Sequence, residues 1–319
     1  MLNSKKIAVA IPCFKVDKHI MSVISAIGDE VDIIYVVDDC CPHKTGDFVK
    51  DNNHDSRVRV IYHDLNLGVG GAMKTAYSNA LKDKVDIVVK IDGDGQMDPS
   101  LIPKFLKPIL DGKADYTKGS RFFSLQSLMD MPTVRKIGNA CLSFVNKASS
   151  GYWNIMDPTN GYTAINREAL SLLPLEKVSN RYFFESDMLF RLSTIRAVVK
   201  DIAMDSVYEE EESNLSIKKV LLEFPPLYTK CFFKRIFYNY FLRDFNAASM
   251  ELVIGWALCI FGFIWGAIHW TNSYIDNANT SVGTVMIAVL PIIMGFQLML
   301  NGLNYDISNI PKEPLSEHN

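Results

Sequence analysis

The sequence predicts an α/β domain with a mixed, mostly parallel sheet, followed by a membrane hairpin. Short apolar runs rich in Val and Ile alternate with helical stretches through about residue 205. Polar residues directly follow several of these runs. The last quarter of the 319-residue chain is also much more apolar than the rest. Near-continuous apolar strands joined by helices are typical of a parallel sheet covered on both faces.

The N-terminal part contains the clearest predicted elements. The strands are expected at 7–11, 32–37, 58–62 and 85–91, and the helices between them at 20–27, 45–52 and 70–81. In a sheet of this kind, ligands bind beyond the carboxyl ends of the strands. The polar residues that follow these strands are therefore the candidates for a functional site.

The C-terminal part predicts a membrane-associated region in four segments. A cytosolic domain at 1–215 is followed by amphipathic juxtamembrane helices at 216–246, spans at 249–270 and 282–304, and a cytosolic tail at 305–319. Each span approaches the roughly 20 residues that cross a bilayer. The linker between them lacks Lys and Arg, which favours cytoplasmic termini. The alternative is a core-facing helix followed by two buried core helices.

Composition excludes several classes of protein. The formal net charge is -3, from 33 Lys and Arg against 36 Asp and Glu, which argues against a nucleic-acid partner. The six cysteines include no CxxC pair, which argues against a zinc site or a disulfide scaffold. The N-terminus shows no signal peptide pattern.

The acidic segment after the fourth strand is the sharpest motif. Asp92, Asp94 and Gln96 bring two carboxylates and an amide oxygen into one turn, with glycines between them. Hard oxygen ligands of this kind suit Mg²⁺ or Mn²⁺. Such a cation neutralises a diphosphate leaving group. The alternative is an ordinary turn with solvated carboxylates.

Asp38 and Asp39 follow the second strand in the same way. One interpretation is hydrogen bonding to a base or a ribose. The other is a turn combined with a helix N-cap. Both remain open from the sequence.

A glycine-rich turn, residues 66–75, opens the third helix and contains Gly70 and Lys74. Met73 breaks both the dinucleotide fingerprint and the P-loop pattern. The turn either brings backbone N–H groups near a phosphate or a sugar, or allows close packing of helix on sheet.

Arginines and acids later in the domain are further candidates. Arg121 and Arg135 have the donors to hold phosphates, although a solvated surface charge is the more common role of a single arginine. The 157–161 segment reads as a polar turn. Glu185 and Asp187 lie two apart on a predicted helix, so at most one of them faces a site.

These motifs, in this order, resemble the family 2 glycosyltransferases with a GT-A fold. Within that family the sequence is most similar to polyprenyl-phosphate glycosyltransferases of the dolichol-phosphate mannosyltransferase type. The resembling segments span nearly the whole chain: AIPCFKVDKHI, YVVDDCCPHKTGD, NLGVGGAMKTAY, VVKIDGDGQMDPSLIPKFL, KGSRF, RKIGNACLSF, DPTNGYTAINREAL and the C-terminal hairpin.

The resemblance implies roles for individual residues. The nucleotide sugar would be bound by Pro12, Phe14, Asp38, Asp39, Gly70, Lys74, Asp92 and Gly93. The metal, Mg²⁺ or Mn²⁺, would be held by Asp92, Asp94 and Gln96. The acceptor phosphate would be contacted by Arg121, Arg135 and Lys218. The catalytic set would be Asp92, Asp94, Arg121 and Arg135.

The implied reaction is inverting transfer of a sugar from a nucleoside diphosphate to a polyprenyl phosphate at the cytoplasmic face of the membrane. The partners are then the donor, the acceptor and the lipid bilayer, and a homo-oligomer is compatible with the sequence. The alternatives are a glycosyltransferase with another lipid or saccharide acceptor, and a non-catalytic nucleotide-sugar-binding membrane protein.

The chain departs from the family pattern at two places. The family's first motif, Pro-x-Tyr-Asn-Glu, is here the segment from Pro12 to Val16, and Asp17 is the candidate substitute for the missing polar side chains. Tyr208 stands where the family often carries an arginine, which makes Lys218 or Lys219 the candidate replacement.

Overall fold

The computed structural model describes residues 4–123, 133–204 and 217–318. The chain forms two compact units. The first comprises Met1–Arg235 together with Pro311–Asn319, and the second comprises Ile236–Ile310.

The first unit is built on a seven-stranded sheet. Its strands are β1 (Ile7–Cys13), β2 (Ile33–Asp38), β3 (Val58–Tyr62), β4 (Ile87–Lys90), β5 (Tyr116–Ser120), β6 (Thr163–Asn166) and β7 (Val199–Ala203). The described helices of this unit are α1 (Ile20–Ser25), α2 (Thr45–Asn52), α3 (Val69–Lys82), α4 (Ile102–Leu110), α5 (Thr133–Ser150), α6 (Arg167–Leu172), α7 (Phe184–Thr194) and α8 (Ile217–Phe237).

The sheet has the order β3-β2-β1-β4-β6-β5-β7. Strands β1 to β4 are mutually parallel where they pair, β6 runs antiparallel to β4 and β5, and β7 is parallel to β5. The predicted mixed, mostly parallel sheet is thus confirmed. The carboxyl ends of six strands meet at one edge, and β6 begins there.

Apolar burial explains why these segments form strands and helices. All six residues of β2 are buried, which matches its run of Ile, Val and Tyr. Helix α4 buries Ile102, Phe105, Leu106 and Ile109, the spacing of one helical face. Phe105 also stacks on Tyr162, with ring centroids 4.0 Å apart.

Helix α8 packs one face against the α7 region of the same unit. Phe224, Tyr228 and Cys231 are buried against Phe183 and Phe190 of the α7 region. Its opposite side leaves apolar side chains exposed, among them Leu222, Phe233 and Phe237. The amphipathic juxtamembrane role of residues 216–246 stays a prediction.

The C-terminal segment rejoins the first unit at Asp115, a fully buried residue at the start of β5. The Asp115 carboxylate accepts hydrogen bonds from the Leu315 backbone N–H at 3.0 and 3.1 Å. It also accepts from the Val198 N–H at 2.8 Å and from Asn166 Nδ2 at 2.9 Å. One carboxylate therefore joins three parts of the chain.

The second unit contains two long helices, α9 (Ala247–Ile275) and α10 (Val282–Ser308). Both are long and apolar enough to cross a membrane, and both extend beyond the predicted spans. Glycines set their close approach: a Cβ at Gly295 would lie 2.6 Å from the Gly255 carbonyl oxygen. Asn246 caps α9 through a capping box with Ser249.

Candidate active site

The acidic segment after β4 forms a tight turn. Asp92 has a side chain 30% exposed. The Oδ1 atom of Asp94 accepts a hydrogen bond from the Gln96 N–H at 3.1 Å. Gly93 is buried, and a Cβ there would lie 3.0 Å from the Val16 side chain. The turn thus depends on glycine where the chain passes over the core.

A buried lysine lies directly behind this turn. Lys90 ends β4 and its side chain is 1% exposed. Its Nζ donates to Asp92 Oδ1 at 2.6 Å and to the Gly161 carbonyl oxygen at 3.2 Å. It also lies 3.4 Å from Glu185 Oε1. Burial alone would lower the pKa of Lys90, but the Asp92 and Glu185 carboxylates outweigh burial and raise it.

Glu185 and Asp187 separate as their spacing predicts. Glu185 lies against Lys90, with a side chain 13% exposed. Asp187 instead accepts from the Ser179 N–H at 2.7 Å and pairs with Arg191 at 3.1 Å. Of the two carboxylates, only Glu185 lies beside Lys90 and Asp92 at the end of β4.

The ends of β1 and β2 hold the residues predicted for the base pocket. Pro12 lies within β1, and Phe14 follows that strand with 42% of its surface exposed. Asp38 is buried, and its two carboxylate oxygens accept from the Cys41 N–H at 2.7 Å and the Gly46 N–H at 2.6 Å. Asp38 thereby fixes the turn that leads into α2.

Asp39 is buried beside it and organises the next loop. Its carboxylate accepts from the backbone N–H groups of Leu67, at 2.9 Å, and Gly68, at 2.6 Å. It also lies 2.8 Å from His63 Nδ1. Of the two interpretations of the Asp38-Asp39 pair, these contacts support the turn role. Hydrogen bonding to a nucleotide stays a prediction.

The glycine-rich turn packs against the segment before α7. A Cβ at Gly70 would overlap the Ser179 carbonyl oxygen and lie 2.9 Å from the Phe184 ring. Lys74 Nζ donates to the Val178 carbonyl oxygen at 3.1 Å, and burial lowers its pKa. These contacts support close packing, and nucleotide binding by Gly70 and Lys74 stays a prediction.

Arg121 follows β5 and forms a forked ion pair with the buried Asp157 carboxylate. The Nε–Oδ2 distance is 2.7 Å and the Nη2–Oδ1 distance is 3.1 Å. Arg135 and Lys218 lie in the first turns of α5 and α8, and their side chains are outside the described part of the structure. Tyr208 lies outside the described residues.

Three charged residues of this sheet face, Lys90, Lys118 and Asp201, have no counterpart among the predicted site residues. Lys90, Thr163, Lys118 and Asp201 lie in register across β4, β6, β5 and β7. Lys118 donates to the Asn160 carbonyl oxygen, and burial lowers its pKa to about 8. Burial raises the pKa of Asp201 to about 6. For Lys90 the signal in the sequence was a charged residue at the end of an apolar strand.

The donor chemistry of the acidic turn suits a hard divalent cation. Asp92 and Asp94 supply carboxylates and Gln96 an amide oxygen, and all three side chains are partly exposed. In the described part of the chain, no group of three or more His, Cys, Asp or Glu is arranged to hold a metal. Two carboxylates fit a cation that takes its other ligands from phosphate and water.

Comparison with known proteins identifies the family of the chain. The model of glycosyl transferase family 2 matches residues 8–173. The chain belongs to glycosyl transferase family 2. Its sheet matches the GT-A fold, as in glucosyl-3-phosphoglycerate synthase from Mycobacterium tuberculosis. That structure contains Mn²⁺, UDP-glucose and phosphoglyceric acid, and it aligns with a TM-score of 0.53 and 20% identity over 73% of this chain and 80% of the synthase.

Two curated relatives from this family are named for polyprenyl-phosphate acceptors. UDP-N-acetylglucosamine–dolichyl-phosphate N-acetylglucosaminyltransferase of Methanococcus voltae is 30% identical over 66% of this chain and 88% of the relative. Undecaprenyl-phosphate mannosyltransferase of Micrococcus luteus is 29% identical over 57% of this chain and 75% of the relative.

Proposed function

We propose that this family 2 glycosyltransferase moves a sugar from a nucleoside diphosphate to a polyprenyl phosphate at the cytoplasmic face of a membrane, with inversion at the sugar carbon. One observation carries the proposal: the same chain holds an acidic turn at the strand ends of a GT-A sheet and two helices long enough to cross a bilayer. The acceptors named in its two relatives support the same reaction.

The chemistry requires positioning and charge neutralisation more than proton transfer. The second pKa of a phosphate monoester is about 6, so the acceptor is already anionic at neutral pH. Its oxygen forms a bond to the anomeric carbon while the bond from that carbon to the diphosphate breaks, and the electron pair leaves with the diphosphate. Attack opposite the leaving group inverts the carbon.

The site residues divide between donor and acceptor. Asp92 and Asp94, with Gln96, would hold Mg²⁺ or Mn²⁺. When bound, the cation would neutralise charge on the leaving diphosphate. We assign Arg121 to the acceptor phosphate. Its two hydrogen bonds to the Asp157 carboxylate hold the guanidinium in one orientation. Prealigned charges of this kind lower the barrier without reorganisation.

The orientation in the membrane follows from the charges around the hairpin. Lys230, Lys234 and Arg243 precede α9, Lys312 follows α10, and residues 271–281 between the helices contain no Lys or Arg. The positive-inside rule then assigns the sheet and both termini to the cytoplasm. The exposed apolar side of α8 suits a position at the membrane surface.

The decisive experiment identifies the lipid product. Purified protein is incubated with undecaprenyl phosphate and a panel of labelled nucleotide sugars, and the lipid fraction is analysed. A labelled polyprenyl-phosphate sugar that mild acid releases supports the proposal. An acid-stable lipid product would indicate another acceptor, and donor binding without any product would indicate a non-catalytic protein.

A further inference from the structure

Lys90 joins three separate segments at the candidate donor site. Its ammonium contacts Asp92 just after β4, the Gly161 carbonyl oxygen in the loop before β6, and Glu185 in the first turn of α7. The first two contacts are hydrogen bonds donated by the ammonium, and the contact with Glu185 is an ion pair at 3.4 Å. The side chain is 1% exposed, which leaves it out of reach of bulk water.

The charge balance explains why a lysine is needed at this position. Removing a charge from water is unfavourable unless partner charges or hydrogen bonds compensate. Here two carboxylates lie within 3.4 Å of one ammonium, Asp92 at 2.6 Å and Glu185 at 3.4 Å. Without Lys90, the partly buried carboxylates of Asp92 and Glu185 would repel each other with no cation between them. Asp92 Oδ1 would also lose the hydrogen bond that it accepts at 2.6 Å.

We propose that Lys90 is a positioning residue of the donor site, which holds Asp92 in the orientation that binds the divalent cation and ties it to Glu185 and the 157–161 loop. This inference rests on the cation role of Asp92 in the proposed function. A group that hydrogen-bonds to a metal-binding carboxylate sets the affinity of the site, and its removal typically costs 10- to 100-fold, roughly, in metal binding.

The test measures cation binding directly rather than turnover. Mn²⁺ is titrated into the purified full-length protein in the presence of UDP, and in a parallel series GDP, with free Mn²⁺ followed by electron paramagnetic resonance. Lys90→Met is expected to weaken Mn²⁺ binding by about 10- to 100-fold. Unchanged binding would overturn the proposal, and tighter binding would show that the ammonium competes with the cation for Asp92.

Lys118→Met is the matched control. It removes a second buried ammonium from the same sheet face. Lys118 donates to the Asn160 carbonyl oxygen of the same 157–161 loop but forms no hydrogen bond with Asp92 or Glu185, so the control separates support of the loop from contact with Asp92. We expect Mn²⁺ binding within about twofold of the wild type, because Asp92 keeps its partner. A loss equal to that of Lys90→Met would mean that any buried charge removed here disturbs the site.

The double variant Lys90→Met/Glu185→Gln protects the test against misfolding. It removes the ammonium together with one charge that the ammonium balances, so the thermal transition should recover toward that of the wild type. Mn²⁺ binding should remain at least about tenfold weaker, since Asp92 still lacks its hydrogen bond. Full recovery of binding would reduce Lys90 to a counter-ion of Glu185. Wild-type protein that binds no Mn²⁺ with either nucleotide would instead refute the cation role itself.

Discussion

Carboxylates at the strand ends divide into two kinds according to the donors around them. Asp38 and Asp39 are buried and receive backbone N–H groups, so they hold loops in place. Asp92 receives a lysine on one oxygen and keeps 30% of its side chain exposed. Exposure combined with a fixed orientation is what a ligand-binding carboxylate requires.

Asp94→Ala is expected to reduce sugar transfer by about 100-fold or more, because it removes a charge that the transition state needs. Transfer of labelled sugar to undecaprenyl phosphate in membranes measures it. Asp98→Asn is the control: this exposed carboxylate in the same segment caps residues 99–101 through Ser100, and asparagine caps equally well. Near-normal metal-dependent turnover in Asp94→Ala would show that the cation lies elsewhere.

The sequence located the acidic turn but missed its lysine for a physical reason. Spacing and residue type identify Asp92 and Asp94 because oxygen ligands on one turn need no tertiary information. In the sequence, Lys90 is a charged residue at the end of an apolar strand, with no visible partner. Its partners Glu185 and Gly161 reach it only when α7 and the 157–161 loop fold against β4. Partners 71 and 95 positions away in the chain are invisible to local patterns.

The strands show the same limit of local sequence patterns. Strands β1 to β4 were predicted within one or two residues because each is a largely apolar run rich in Val and Ile and bounded by turns. Strand β6 has only four residues and runs antiparallel between β4 and β5. A segment that short is defined by its neighbours rather than by its own pattern.

Gly70→Ala is expected to destabilise the protein by about 1–3 kcal/mol, because helix α3 approaches the 179–184 segment too closely for a methyl group. Thermal unfolding in detergent measures the effect. Gly138→Ala in α5 is the matched control, since a Cβ there meets nothing within 4 Å. Equal melting temperatures for the two variants would contradict the close-packing account.

The β5–β7 pair predicts a pH dependence of stability. Burial raises the pKa of Asp201 from 3.8 to about 6, so the folded state holds a proton that the unfolded state releases. Stability should therefore fall as pH rises from about 4 to about 6, by on the order of 2 kcal/mol. Asp201→Asn should remove this slope and melt higher than the wild type at neutral pH.

Melting curves of both proteins across this range provide the check. Asparagine keeps an oxygen for the Met156 N–H that Asp201 now binds at 2.7 Å. The two proteins should melt alike near pH 4, where the wild-type carboxyl is protonated. Parallel pH profiles would mean that Asp201 is ionised throughout.

At the scale of the whole molecule, the hairpin predicts a labelling pattern. In sealed right-side-out vesicles, an impermeant maleimide should label Asn277→Cys, which lies between the two long helices. The exposed Cys40 and Cys141 of the first unit should react only after permeabilisation. Labelling of Cys40 in intact vesicles would show that the first unit lies on the opposite side of the membrane from the one proposed.

The junction between Asp115 and Leu315 has a topological consequence. The polypeptide leaves the sheet-containing unit after residue 235 and returns to it at residue 311, and a single folded body occupies one aqueous compartment. The number of bilayer crossings in between must consequently be even, whatever the distribution of basic residues. Synthesis is ordered as well: Leu315, whose N–H donates to Asp115, follows both long apolar helices in the chain, so this junction closes only after both helices have been synthesised.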